Sequence, residues 1–467
     1  MSPRRRSVAE RSAHRTNGCG FHPCPIPPVA RETEMNRRDL LAGFGTLATA
    51  QAFGLNADPF AVAESPSTAQ RSQGPLVPGF PRKDDFSIEP GYTYLNAAYT
   101  HPIPKRSLEA ARLAAQRRNE LRSPSGLSSE AVRTENLTAK DIFAELINAS
   151  PSEIAYVSST SEGENLVTRA LGLDHRFDGN VVTDGLHFEG SLMHLMELKK
   201  RGLDVRVAKP TADARIDFRD LERLVDNTTR LIEISAAAMY NGFQHDLKAV
   251  ADLAHAHGAL VYVDIIHSVG AEPFDARASG IDFASCSSFK WLMGDFGLGF
   301  LYAKGSAMEK IERPVHGYYQ CADIEPNYPP HLPPGPYEPV TYTLNTTATG
   351  MFETGSLKGS VEVNLALLQD SLSYVTQLGP ANIRAHRLPL IKKLQDEMPR
   401  LGFMPVTPKD GTASVVTFAK RDLGKSNIPI RLADAKINVR IAPHWMRISP
   451  SVYNDMGDIE RLLAVLA

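Results

Sequence analysis

Phe283-Ala-Ser-Cys-Ser-Ser-Phe-Lys290-Trp291, followed by Gly294, Gly297 and Gly299, is the stretch on which the reading of this chain turns. A short β-prone run passes into hydroxyl residues, then a lysine, then a glycine-rich turn, which holds an amine at the rim of a sheet. Upstream, Val261-Tyr262-Val263-Asp264 ends a second apolar run in a carboxylate. Similar runs span Ile154 to Ser159, Asn180 to Asp184, Asp204 to Ala208, Arg230 to Ser235, Leu260 to Asp264, Phe283 to Ser287 and Gly299 to Ala303. Near-continuous apolar character is expected of strands buried on both faces of a mostly parallel sheet. Helical spacing separates them, as in Asp246 to His257, where Leu247, Val250, Leu253 and Ala254 share a face and Gly258 provides a stop. The alternation predicts an α/β layered domain.

A third piece is Ser158-Ser159-Thr160-Ser161-Glu162-Gly163, at a strand-to-helix junction. Hydroxyls and the free N–H groups of a helix start make an anion cradle, although the same residues also serve as plain N-caps. An aspartate at a buried strand end is costly unless it meets a cation, and a protonated pyridine nitrogen is one. Cradle, carboxylate and lysine in this order form a far more specific signal than any one of them.

In these residues the chain resembles the fold type I pyridoxal phosphate enzymes, in particular the class V aminotransferase and cysteine desulfurase group, including isopenicillin N epimerase. The resemblance covers roughly residues 90 to 467. It implies a three-layer, mostly parallel large domain with a smaller α+β C-terminal domain, and pyridoxal 5'-phosphate as cofactor. Tyr94-Leu95-Asn96-Ala97-Ala98 is similar to the family's opening piece, with Asn96 on the substrate side. Thr160 and Ser161 match its phosphate-binding turn. His187 falls where an imidazole stacks on the cofactor ring, or is a structural histidine. Asp264 takes the place of the ring-nitrogen partner, and His267 that of the ring-oxygen partner, unless it only packs. Ser287 matches a phosphate ligand and Lys290 the Schiff-base lysine. Catalysis would rest on Lys290, Asp264 and His187. Phe352-Glu-Thr-Gly-Ser356 resembles a segment whose hydroxyl reaches the phosphate in the neighbouring subunit of a homodimer. Arg447-Ile-Ser-Pro-Ser-Val-Tyr-Asn454 resembles the stretch whose arginine binds the substrate carboxylate, with Arg440 a second candidate. Trp291 is read as packing. The family's asparagine near the ring falls between Ser235 and Asn241 and is left unassigned. No metal is expected.

The departures narrow the chemistry. Phe289 stands where desulfurases carry a histidine beside the lysine. The stretch between Arg440 and Arg447 contains no cysteine, whereas desulfurases place their nucleophile in that region. Cys286 and Cys321 lie elsewhere, so persulfide transfer is not expected. The expected activity is aminotransferase-like, on an amino acid or a peptide-bound amine. Racemisation of the isopenicillin N epimerase type and C–S or β-elimination are the alternatives, and a non-catalytic binding protein of the same fold is a rival from another class.

Composition agrees with an enzyme: 467 residues, 42% hydrophobic and 22% charged, with a formal net charge of −2. That balance speaks against nucleic-acid binding, which needs a basic surface. Four cysteines exclude a disulfide scaffold. The first 63 residues differ, with eight arginines against five acidic residues. Met35-Asn36-Arg37-Arg38-Asp39-Leu40-Leu41, a weakly apolar run and Ala61-Val62-Ala63 resemble a twin-arginine export signal with a cleavage site. Met1 and Met35 are both candidate starts. The run is too short and too rich in Gly and Ala to span a membrane. The expectation is a periplasmic or secreted enzyme, exported folded by the twin-arginine machinery and left without a membrane anchor.

The organisation expected is a leader over residues 1–63, an N-terminal arm over 64–90, a large cofactor domain over 91–355 and a small domain over 356–467. The prolines of 326–339 read as a stiff inserted loop. In the small domain, Val361 to Leu378 reads as a helix, Ala413 to Phe418, Ile437 to Ile441 and Met446 to Ser449 as strands, and a closing helix starts at Asp458.

Overall fold

Residues 78–120, 138–330, 332–354 and 362–467 are described by the computed structural model. The leader, Cys19, Cys24 and Ser356 lie outside them. The described residues fall within one unit, Arg71–Ala467.

After a short strand β1 (Thr93–Tyr94), the predicted apolar runs form one seven-stranded sheet: β2 (Ile154–Val157), β3 (Asn180–Asp184), β4 (Asp204–Ala208), β5 (Thr229–Ser235), β6 (Leu260–Asp264), β7 (Phe283–Ser287) and β8 (Gly299–Ala303). Its order is β2-β8-β7-β6-β5-β3-β4. β3 to β7 pair in parallel, and only β8 runs against its neighbours β7 and β2. The reason is reach: the link 288–298 is shorter than the dozen or so residues that a parallel crossover takes. The chain therefore turns back at the rim, and Lys290 sits in that turn. The turn closes through Met293 N–H donating to the Lys290 carbonyl at 2.9 Å, with Met293 itself buried in the left-handed region at φ 57°.

Period-2 alternation gives the sheet two apolar faces. Val261, Val263, Ala284 and Cys286 belong to one core; Tyr262, Phe283, Val181 and Leu231 belong to the other, with the helix Thr160–Ala170. Asp264, Ser285 and Ser287 share that second face by alternation. The result is the three-layer α/β architecture expected.

Beyond the sheet, one expectation needs correcting. The proline stretch is not a free-standing loop but the tip of an antiparallel hairpin, β9 (Cys321–Pro326) with β10 (Val340–Leu344). Its strands read poorly because they are largely exposed and lack an apolar face. The C-terminal segment builds a four-stranded antiparallel sheet in the order β11 (Met404–Pro405), β12 (Val416–Ala419), β15 (Trp445–Ile448) and β14 (Arg440–Ile441). The expected strand Ile437 to Ile441 is split, since β13 (Ile437–Asn438) pairs instead in parallel with β1. Leu95 accordingly packs into the C-terminal core with Val416, Met446 and Ile448. The helices expected from Val361 and Asp458 run Glu362–Leu378 and Met456–Leu466. Among the described residues no helix is long and apolar enough to cross a membrane.

Candidate active site

Because β2, β3, β5, β6 and β7 all run the same way, their carboxyl ends share one rim, the place where open α/β sheets bind ligands. Thr160, His187, Ser235, Asp264, Ser287 and Lys290 all lie at or just beyond those ends.

Lys290 Nζ lies 3.1 Å from His267 Nε2. Desolvation lowers the lysine pKa to about 8, against the pull of Asp264, which favours the charged form. Burial also drives His267 well below the ordinary histidine value, with Lys290 and Arg447 adding to the effect. With Lys290 Nζ donating a hydrogen bond to Nε2 of a neutral His267, the ring proton sits on Nδ1, a buried atom with no partner among the described residues. Asp264 is raised by burial, opposed by the Ile266 N–H, which it accepts at 2.9 Å, and by Lys290 and His187.

At the other end of the rim, Thr160 and Ser287 lock the helix start to β7. Thr160 N–H donates to Ser287 Oγ at 2.8 Å, and Ser287 N–H donates to Thr160 Oγ1 at 2.9 Å. The approach is close enough that a Cβ on Gly163 would stand 2.0 Å from Ser285 Oγ. Ser161 follows half-buried on the first turn. His187 Nδ1 meets Ser235 Oγ at 2.8 Å. Its loop is tethered by Asp184, which accepts from Leu186 N–H at 2.7 Å and pairs with His245 at 3.1 Å.

The C-terminal sheet supplies Arg447. It is buried, donates from Nη1 to the Met239 carbonyl at 3.0 Å, and leaves Nε without a partner among the described residues. Desolvation lowers its pKa to about 10. Arg440 is its cross-strand partner but is exposed. Asn96 bridges to Ser449 and donates to Asn438 Oδ1 at 3.1 Å, which ties it to the C-terminal segment. Trp291 is buried beneath the Arg387 guanidinium and against His101. Asn241 caps its own turn, accepting from Phe243 N–H at 3.0 Å and donating to the Ala214 carbonyl at 2.7 Å.

The residues present fit pyridoxal phosphate. Among the described residues, a buried carboxyl and a buried guanidinium that form no ion pair, and ring nitrogens of His187 and His267 without a partner, converge around a lysine of lowered pKa. Residues 93–462 match the family model for class-V aminotransferases. The chain belongs to the class-V aminotransferase family. It is a pyridoxal phosphate-dependent class V enzyme. It is 29% identical over 314 residues to a probable cysteine desulfurase of Methanothermobacter thermautotrophicus, covering 66% of this chain and 73% of that one. Its fold matches the apo cysteine desulfurase of Thermococcus onnurineus NA1 with a TM-score of 0.69 at 21% identity, over 82% and 96% of the two chains. It also matches a C-DES mutant carrying glycine covalently linked to its PLP cofactor, with a TM-score of 0.68 at 19% identity over 83% and 99%.

Sequence reasoning missed Ser235, the Asp184–His245 tether and the pair Glu164 and Glu233. The signal was present: Glu233 interrupts the apolar run Thr229-Arg-Leu-Ile-Glu-Ile-Ser235, two residues before Ser235 and so on its face.

Proposed function

We propose that this class V enzyme removes the α-proton of a carboxylate-bearing amine, an amino acid or a peptide-bound amine, and returns a proton in an aminotransferase-type reaction. The observation that carries the reading is Lys290, its pKa brought to about 8 next to neutral His267 and in the field of Asp264. Pyridoxal phosphate, when bound, supplies the electron sink that makes an α-proton acidic. Asp264 would keep the ring nitrogen protonated, and Thr160, Ser161 and Ser287 would hold the phosphate. His187 would cover the ring and His267 would face its oxygen. Lys290 would take the α-proton as general base. Arg447, with its unpaired Nε, would anchor the substrate carboxylate in a planar, bidentate way.

A second reading, C–S bond cleavage, is favoured by relatives named cysteine desulfurases. Relay through an enzyme thiol is poorly supported: Cys286 is buried in β7, its thiol pushed up by desolvation, and Cys321 opens the β9 hairpin. If sulfur leaves, it leaves directly. Incubating the holoenzyme with an amino-acid panel that includes cysteine, together with a 2-oxo acid to accept the amino group, and assaying keto acid, sulfide and enantiomer, separates the readings. Transamination predicts a keto product from an amine with no sulfide; sulfide release in a Cys286→Ala, Cys321→Ala variant would replace it with direct C–S cleavage.

The same proposal includes twin-arginine export to the periplasm or beyond the cell, a homodimer in which Ser356 reaches across, and the division into large and small domains at residue 355. Replacing Arg37 and Arg38 with Lys should retain the protein in the cytoplasm; unchanged export would defeat that part.

A further inference from the structure

We infer that Glu164 and Glu233 share a proton behind His187 and fix the tautomer of its imidazole, acting as positioning residues for the ring-covering histidine. Both carboxyl groups are essentially excluded from water, Glu164 at 1% and Glu233 at 0% exposure. One ligating atom from each of Glu164, His187 and Glu233 lies within 4.8 Å of the others. Counted as carboxylates, Glu164 Oε1 and both Glu233 oxygens find no donor among the described residues, and His187 Nε2 finds no partner there. Two such charges cannot stay ionised side by side in the interior; a proton between them removes the repulsion and supplies the missing donor. Ser191 Oγ donates to Glu164, whereas neither Glu233 oxygen has a donor, so the charge belongs on Glu164 and the proton on Glu233, the direction in which burial and the neighbouring Glu164 push Glu233. Glu164 then accepts from Glu233 and from Ser191 Oγ.

The groups that face this pair all favour the assignment or leave it unchanged. Ser191 comes from the helix Glu189–Lys200 and donates. His194, on the same helix, is itself pushed down by burial and meets Thr168 Oγ1 at 3.1 Å. Tyr262 on β6 is raised well above its usual value by burial and by Glu164 and Asp264. Asp264 is raised in part by Glu164. None is a cation at neutral pH. The charge left on the pair is therefore an acceptor for His187 Nε2–H, and His187 Nδ1 is free to accept from Ser235 Oγ at 2.8 Å. A histidine held this way faces the ring with its tautomer fixed, and the negative charge behind it works with Asp264 to favour a protonated ring nitrogen.

This inference rests on His187 covering the cofactor ring, not on which product is formed. Infrared difference spectra of the full-length protein, with and without cofactor, should show a protonated carboxyl band that persists at mildly alkaline pH and is lost in Glu233→Gln. Nitrogen-15 NMR of labelled histidine, with His187 assigned through His187→Asn, should report the Nε2–H tautomer in the wild type and its loss in Glu164→Gln. Should either variant fail to fold, the wild-type band and tautomer alone decide. A missing band, an Nδ1–H tautomer, or one divalent ion per chain by elemental analysis would overturn the inference. The carboxyl band would survive even if Lys290→Ala kept full activity, the result that would instead remove the proposed base.

Discussion

At the residue scale the site is an exercise in unpaired groups. In the proposed function Lys290 is the amine that would capture the cofactor aldehyde, and only its neutral form is nucleophilic. With its pKa at about 8, the rate of cofactor capture by the apo-protein should rise with pH and level off above that value. Stopped-flow absorbance at varied pH measures it; a rate still climbing steeply toward the ordinary lysine value near 10.5 would contradict the environment described. Lys290→Ala should abolish the long-wavelength absorbance and lower turnover by about a thousandfold, the scale of losing a positioned general base. Arg447→Ala removes a charge-assisted contact worth about 2 kcal/mol, so KM should rise roughly thirtyfold with kcat much less affected. Steady-state kinetics on the substrate found by the panel checks this. Lys290 and Asp264 were legible in the sequence because strand ends punctuate it. Glu164 was not, because its partner lies on a strand far along the chain and only the fold brings the two acids together.

Among the elements, the contact between the helix Thr160–Ala170 and β7 is the one that sets the site. Gly163 permits it: an added methyl would lie 2.0 Å from Ser285 Oγ. Gly163→Ala should therefore cost about 1–3 kcal/mol, as overpacking does, and weaken cofactor retention by moving Thr160 and Ser161 off the rim. Adding Ser285→Gly should restore part of both losses. Thermal denaturation and cofactor titration of the two variants test the pair; a Gly163→Ala protein with unchanged retention would show that the helix start does not depend on this contact. The sequence placed the strand by its apolar run and the helix start by the hydroxyl cluster Ser158 to Ser161. It did not show the β9–β10 hairpin, since exposed strands carry no apolar alternation and seven prolines in the region 326–339 read as punctuation.

For the whole molecule, His101 is a pH-sensitive joint. It is fully buried, with Nε2 at 2.8 Å from Ser451 Oγ, and its ring lies against Trp291, Phe86 and Tyr453, so it connects the lysine turn, the N-terminal segment and the C-terminal segment. Desolvation lowers its pKa to about 4 from 6.5. Between these values the unfolded chain binds the proton and the folded chain does not, so stability falls as pH drops through the window, by up to about 3 kcal/mol. Above 6.5 and below 4 this group should contribute no slope. Urea denaturation from pH 7 to 4 of wild type and His101→Gln should show a shallower decline in the variant; parallel curves would remove His101 as the cause.

By itself the sequence determined the sheet and the cofactor class, and it put Lys290 at the rim, because strand period, strand-end chemistry and glycine turns are local properties of consecutive residues. It also determined that no cysteine lies between Arg440 and Arg447. Only the tertiary structure decided that Arg447 is buried with an unpaired nitrogen while Arg440 is exposed, that Asn96 is tied to the C-terminal segment, and that two glutamates meet behind His187. Those are relations between residues distant along the chain, and whether a charge is paired, shared or left waiting depends on what the fold packs against it.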